Sequence, residues 1–251
     1  MGIRTKIENS SSRSNFEEVG SAKIESRLIG NRENIHQKFE LHQSTFIILQ
    51  KEVKMVALLM LIMAVDPLIQ KGDSLFSILK YEEALKQYQM AYEKDKGNYE
   101  VLWRLSMAYL NIGEGLENEK EREAYFNKAL EFAQKATQVN PEGDWGWTYL
   151  AAVNGRIALS KGGKEKVKYA MIIKDAVNKA LKLNPNNDLA NFIWGSYNFE
   201  AATLNPVLRN FAKTLFGEVP QGTIEDAEKY IKKATILNPG RIQYHYELAR
   251  V

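Results

Sequence analysis

The sequence predicts an all-α protein, an array of antiparallel helix pairs, and three observations predict it. Nearly the same phrase recurs three times, as "KATQVNP" ending at Pro141, "KALKLNP" ending at Pro185 and "KATILNP" ending at Pro239, at unequal intervals of 44 and 54 residues. Apolar residues ahead of these phrases recur every three or four positions, the period of a helix with one buried face. A small alanine precedes each helix end, at Ala91, Ala136, Ala180 and Ala234, where a short side chain lets two helices approach closely. One active site needs one copy of its motif, whereas a repeated structural unit must end its own helix every time.

Residues 1–54 read differently from the rest. They are rich in Ser, Asn, Glu and Arg, lack sustained periodicity and are expected to be mostly disordered, with a short helix near Phe39–Leu49. Residues 55–65, "MVALLMLIMAV", form an uncharged apolar run too short to span a bilayer but of the length of a signal-peptide core. Lys51 and Lys54 supply a basic flank and Ala64 a small residue for cleavage. Three readings stay open: a signal peptide with Met55 as initiator and residues 1–54 an over-extension, a buried helix packing on the first repeat, or a membrane anchor. Under the first, the protein is exported to a periplasmic or extracellular compartment; otherwise it is cytoplasmic.

Residues 66–251 carry the repeats. "YEEALKQYQMAYEKD" places Ala84, Leu85, Tyr88 and Ala91 on one helix face. Each Asn-Pro stops a helix, because the residue before proline is pushed out of helical geometry. The helix of Trp103, Leu105 and Tyr109 is expected to pair with that of Ala129 and Ala136, across about eleven inserted residues. Trp147 and Leu150 pair likewise with Ala180, and Trp194-Gly195 with Ala227 and Ala234, across about ten and about twenty. The unequal intervals then come from a fixed repeat carrying insertions of different length. "RIQYHYELARV" begins the first helix of a fifth unit, so Tyr244–Val251 is expected to pack on Ile224–Leu237 and leave an apolar stripe exposed, as in an array lacking its cap.

Composition excludes several function classes. There are no cysteines, so disulfides, thiol catalysis and thiolate zinc sites are ruled out. Residues 66–251 hold 25 Lys/Arg against 24 Asp/Glu, which provides no broad footprint for nucleic acid. "KGGKEK" is not a phosphate loop, since the required leading glycine is Ala158 and the required Ser/Thr is Glu165. His245 lies on an apolar-aromatic helix, and Glu82-Glu83 and Glu225-Asp226 stand where carboxylates favour a helix N-terminus. No catalytic, cofactor-binding or metal-binding residue is assigned, and the protein is expected not to be an enzyme.

The alanines, Gly72, Leu75 and the closing prolines resemble the tetratricopeptide repeat, a helix–turn–helix unit of 34 residues. The fold class is therefore a tetratricopeptide-like α-solenoid with insertions between the helices of its repeats. The Trp147 helix, Gly155, "GGKEKVK", "KALKLNP", Trp194-Gly195, "AKTLFGEVP" and "EDAEKYIKKA" together resemble the regulator of microtubule dynamics family, over roughly 144–251 and more loosely from Asp66. "ATLNPVLRNFAKTLFG" is similar to bacterial chains that carry this repeat domain behind a signal peptide. The resemblance implies a helical scaffold and, for animal members, tubulin as a partner. The chain departs from such members in having no acidic-flanked diphenylalanine motif and no full membrane anchor.

Projecting the repeat onto the chain turns Trp103, Met107, Thr148, Arg156, Phe192 and Phe199 toward a concave groove suited to a peptide with hydrophobic anchors. The alternative is that insertion helices fill the groove and these aromatics are core. A chaperone-tail clamp is not supported, because Ile69, Asp73 and Trp103 stand where its lysines and asparagine would. Lys161, Lys164, Lys166 and Lys168 form either a basic face for acidic tails or a solvated turn.

Overall fold

The structure, a computed structural model, describes residues 40–43, 45–56, 67–217 and 219–251. They fall into two compact units, Met1–Met60 and Leu61–Val251. In the first unit 40–43 and 45–56 are helical, which overlaps the helix expected near Phe39–Leu49 and extends past it through Lys51 and Lys54 to residue 56. Of the segment 1–54 expected to be mostly disordered, residues 50–54 are helical, while 1–39 and 44, like most of the apolar run 55–65, lie outside the described residues. Among the described residues no helix is long and apolar enough to cross a membrane.

The second unit is helical throughout its described elements. Helix α1 spans 67–77. It is followed by α2 (Tyr81–Lys94), α3 (Tyr99–Gly115), α4 (Glu119–Val139), α5 (Asp144–Leu159) and α6 (Gly163–Leu183). Then come α7 (Asp188–Ala202), α8 (Pro206–Phe216), α9 (Ile224–Leu237) and α10 (Ile242–Arg250). The packed pairs are α3 with α4, α5 with α6, and α7 with α9, as the alanine and Asn-Pro spacing predicts. Tyr88 of α2 ties the first pair together, its hydroxyl donating to Asp73 of α1 at 2.7 Å.

Each second helix ends in the same way. Ala91, Ala136, Ala180 and Ala234 are fully buried, and their carbonyls accept the capping amides of Asp95, Asn140, Asn184 and Asn238. Gly195 brings α7 against α9, since a Cβ there would stand 2.5 Å from Ile231 Cγ1 and 3.0 Å from the Ala227 carbonyl. The insertions are taken up as helix. At 21 residues each, α4 and α6 exceed the 14-residue α2 and α9 by about two turns. The third insertion is a helix of its own, α8, opened by Asn205 capping the Leu208 amide and by Pro206 in the first turn.

Helix α10 packs on α9 as expected. Tyr244 is fully buried, while Ile242 (82% exposed) and Tyr246 (70%) form the outward stripe.

Candidate functional site

The first helices of successive units, α3, α5 and α7, line a groove of about 620 Å³, with α10 completing one wall. Helical spacing aims the lining residues: Tyr149, Ala152 and Arg156 on α5, then Leu189, Phe192, Ile193 and Ser196 on α7. Leu110 and Glu114 of α3 contribute beside them. The inserted segments build the far wall, through Val167, Ala170 and Ile173 near the start of α6 and Leu208 of α8. These two insertions touch, because Leu208 packs over Gly163 and the Lys164 ammonium lies 5.2 Å from the Phe211 ring centre.

Polar groups are few and specific. Arg156 Nε donates to Glu114 across α5 and α3. Arg250 bonds Glu247 at 2.6 Å and reaches Glu200 at 3.5 Å. Arg241, in the turn before α10, donates to the Tyr244 hydroxyl at 3.2 Å, and that hydroxyl donates to Asp188 at 3.0 Å. Burial alone would lower the Arg241 pKa, but the Tyr244 and Tyr149 hydroxyls and the Asp188 carboxylate outweigh it and the guanidinium is held above its ordinary value. Ser196 is a lining residue, and its Oγ is buried without a hydrogen-bond partner. Among the described residues no cluster of three or more His, Asp or Glu could hold a metal ion.

The residues projected toward the groove divide. Arg156 and Phe192 line it together, with the Phe192 ring stacked on Tyr244 at 4.7 Å. Thr148 does not, being fully buried with its hydroxyl donating to the Asp144 carbonyl at 2.8 Å. Trp103 is 8% exposed and stacks on Trp145 at 5.2 Å and Tyr149 at 5.9 Å, a core arrangement. Met107 packs half-buried against the same core, and Phe199 lies under the Arg250 guanidinium, 4.8 Å from its ring centre. On α3 the physical reason is register, since the lining residues Leu110, Asn111 and Glu114 lie toward its C-terminal end, beyond Trp103 and Met107. On α5 it is facing, since Tyr149 lines the groove and its neighbour Thr148 turns into the core. The basic run is partly spent internally, since Lys161 pairs with Glu123 at 3.5 Å and Lys164 with Phe211. Arg241 and the α8 wall escaped the sequence reading, because a residue in a turn and a helix inside an insertion have no place in the repeat pattern.

The model of a family described as regulator of microtubule dynamics protein 1-3 matches residues 68–251. The regulator of microtubule dynamics protein 2 of Bos taurus is 26% identical over 182 residues, which is 72% of this chain and 44% of that one. Protein 1 of the same organism is 28% identical over 177 residues, covering 70% and 55%. The chain thus spans about half the length of the curated relatives it matches. Among solved structures, a thermophilic tetratricopeptide-repeat protein of Thermus thermophilus aligns with a TM-score of 0.48 and 17% identity, over 74% of this chain and 97% of that one.

Proposed function

The chain belongs to the regulator of microtubule dynamics protein 1-3 family, and from that premise we propose that it is a non-enzymatic helical-repeat scaffold whose groove holds a segment of a protein partner. The observation that carries this reading is the groove itself. It is concave, lined by apolar side chains of α3, α5, α6 and α7, and rimmed by a few charged groups, the form expected where an extended or helical peptide lays down hydrophobic anchors. The test is selection of a displayed random-peptide library on the full chain, with Ala152→Trp as a variant whose ring fills the groove. Selected peptides are expected to bind the wild-type chain and to weaken at least about tenfold on Ala152→Trp; selection of none that are sensitive to this change overturns the reading.

A second reading is supported by the names of the relatives, which describe regulators of microtubule dynamics. Here the lysines at the start of α6 meet acidic tails of tubulin. Co-sedimentation with polymerised tubulin tests it, and a chain left wholly in the supernatant at low salt rejects it. Export from a start at Met55 is a separate proposal, supported by the uncharged run that follows Lys51 and Lys54. N-terminal sequencing of the mature protein decides it, since recovery of residues 1–54 in the native protein removes it.

A further inference from the structure

The groove is unevenly charged at one point. Four basic side chains line it, Arg156, Lys166, Arg241 and Arg250, against three acidic ones, Glu114, Glu200 and Glu247. The acids are all committed, Glu114 to Arg156 and both Glu200 and Glu247 to Arg250. Arg241 takes part in none of the ion pairs among the described residues; its side chain holds only the Tyr244 hydroxyl and lies over that ring. Asp188, the nearest acidic influence, is bound instead by Asn238 at 2.9 Å and by Tyr244 at 3.0 Å. Arg241 is half-buried, and its side-chain hydrogen bond to the Tyr244 hydroxyl uses one of its five donors, so the others stay available to an anion entering the groove. Its planar fork suits a carboxylate held by two parallel bonds.

We propose that Arg241 is the anion-binding residue of the groove, and that the partner segment carries a carboxylate next to a large apolar side chain, the carboxylate on Arg241 and the apolar group among Leu110, Ala152, Ile173 and Ile193. This rests on the protein-partner reading above. Lys166 is a weaker candidate for the role, because its side chain is exposed and already solvated. Charge complementarity thus selects an acidic-apolar peptide over a basic or a uniformly apolar one.

The probes are peptides from the library selected on the full chain, each resynthesised with every Asp and Glu replaced by its amide, and binding is read by fluorescence polarisation. Selected peptides are expected to be enriched in Asp or Glu beside Leu, Ile, Phe or Met, and the amide forms to bind the wild-type chain about tenfold or more weakly. On Arg241→Gln the acidic and amide forms are expected to bind alike, while Arg241→Lys keeps part of the preference. The comparison of acidic and amide peptides on the wild-type chain needs no variant to fold. Peptides that are sensitive to Ala152→Trp but indifferent to amidation overturn this inference and leave the scaffold reading standing. A carboxylate effect equally large in Arg241→Gln places the anion elsewhere and also overturns it. Failure to select any peptide sensitive to Ala152→Trp fails both readings at once.

Discussion

Asn184 donates its side-chain amide to the carboxylate of Asp144 at 2.8 Å, joining the end of α6 to the start of α5. Asn187, which caps α7, donates to the same oxygen at 2.9 Å. The relationship recurs one unit later, where Asn238 at the end of α9 reaches Asp188 at the start of α7, also at 2.9 Å. The asparagine of the repeated phrase therefore does more than precede a proline. It ties the end of each of these second helices to the helix it pairs with.

Asn184→Ala is expected to lower stability by about 1–2 kcal/mol, through loss of its bond to Asp144, whose other partner Asn187 remains, and of the exposed bond it accepts from the Asn186 amide. Asn184→Asp is expected to cost more at neutral pH, because it sets a second carboxylate against Asp144. Urea midpoints of the two variants check the order; equal midpoints contradict it.

Leu79 closes α1 in the left-handed region at φ 64°. Its amide bonds the Phe76 carbonyl at 3.0 Å and the Lys80 amide bonds the Leu75 carbonyl at 3.0 Å, a Schellman ending that glycine usually supplies. The side chain is 71% exposed, so little packing is lost on removing it. Leu79→Gly relieves a left-handed penalty of roughly 1–2 kcal/mol for a non-glycine residue and adds about 0.5–1 kcal/mol of chain entropy to the unfolded state. The net expectation is a gain of about 0.5–1 kcal/mol, seen as a Tm higher by roughly 1–4 °C.

Two glycines in first helices should respond with opposite signs. A Cβ at Gly155 would meet only Ile173 Cδ1 at 4.0 Å, so Gly155→Ala is expected to stabilise α5 by about 0.5–1 kcal/mol. Gly195→Ala drives a methyl into Ile231 and the Ala227 backbone and is expected to cost about 1–3 kcal/mol. Thermal melts of the pair report the contrast, and two shifts of the same sign contradict it.

Burial pushes the Tyr99 hydroxyl from its ordinary value near 10 up to about 12, against the opposing hydrogen bond from the Gly146 amide. Burial also raises Tyr88, helped by Asp73, and Tyr149. Tyr244 is raised chiefly by burial, with Arg241 opposing and Asp188 adding to it. These groups keep protons in the folded chain that the unfolded chain releases first, so their contribution is intact below about pH 10 and is lost as pH rises toward 12. Urea midpoints should fall steeply above about pH 10, and Tyr244→Phe should flatten that fall. A wild-type midpoint unchanged between about pH 9 and pH 11 contradicts this account.

The pairing of helices was legible in the sequence because it rests on local signals. A buried alanine, a capping asparagine and a proline stop are each written in one place, and Ala136, Ala180 and Ala234 carried the repeat wherever the insertions fell. Groove facing was legible only in part. Arg156 and Phe192 were found because they share a face with the lining of their helices, whereas Thr148 was misplaced by a fraction of a turn, which on a helix is enough to exchange groove for core. The α8 wall and Arg241 depend on contacts between segments distant in sequence, and no periodicity encodes those. The length added to α4 and α6 was read as extra chain in a turn, although its helical residues already allowed it to be extra turns of helix.

The two long edges of the array are fastened unequally. Along one, Asp144 and Asp188 gather part-buried amide and hydroxyl bonds from their neighbours. Along the other, Arg156–Glu114 and Lys161–Glu123 are more exposed ion pairs, which salt weakens. The first kind of fastening acts as the rivet of a hand fan and the second as the cloth between its ribs. Rising ionic strength is expected to weaken the exposed pairs before the part-buried bonds, so that salt slackens the cloth while the rivet holds the helix pairs together.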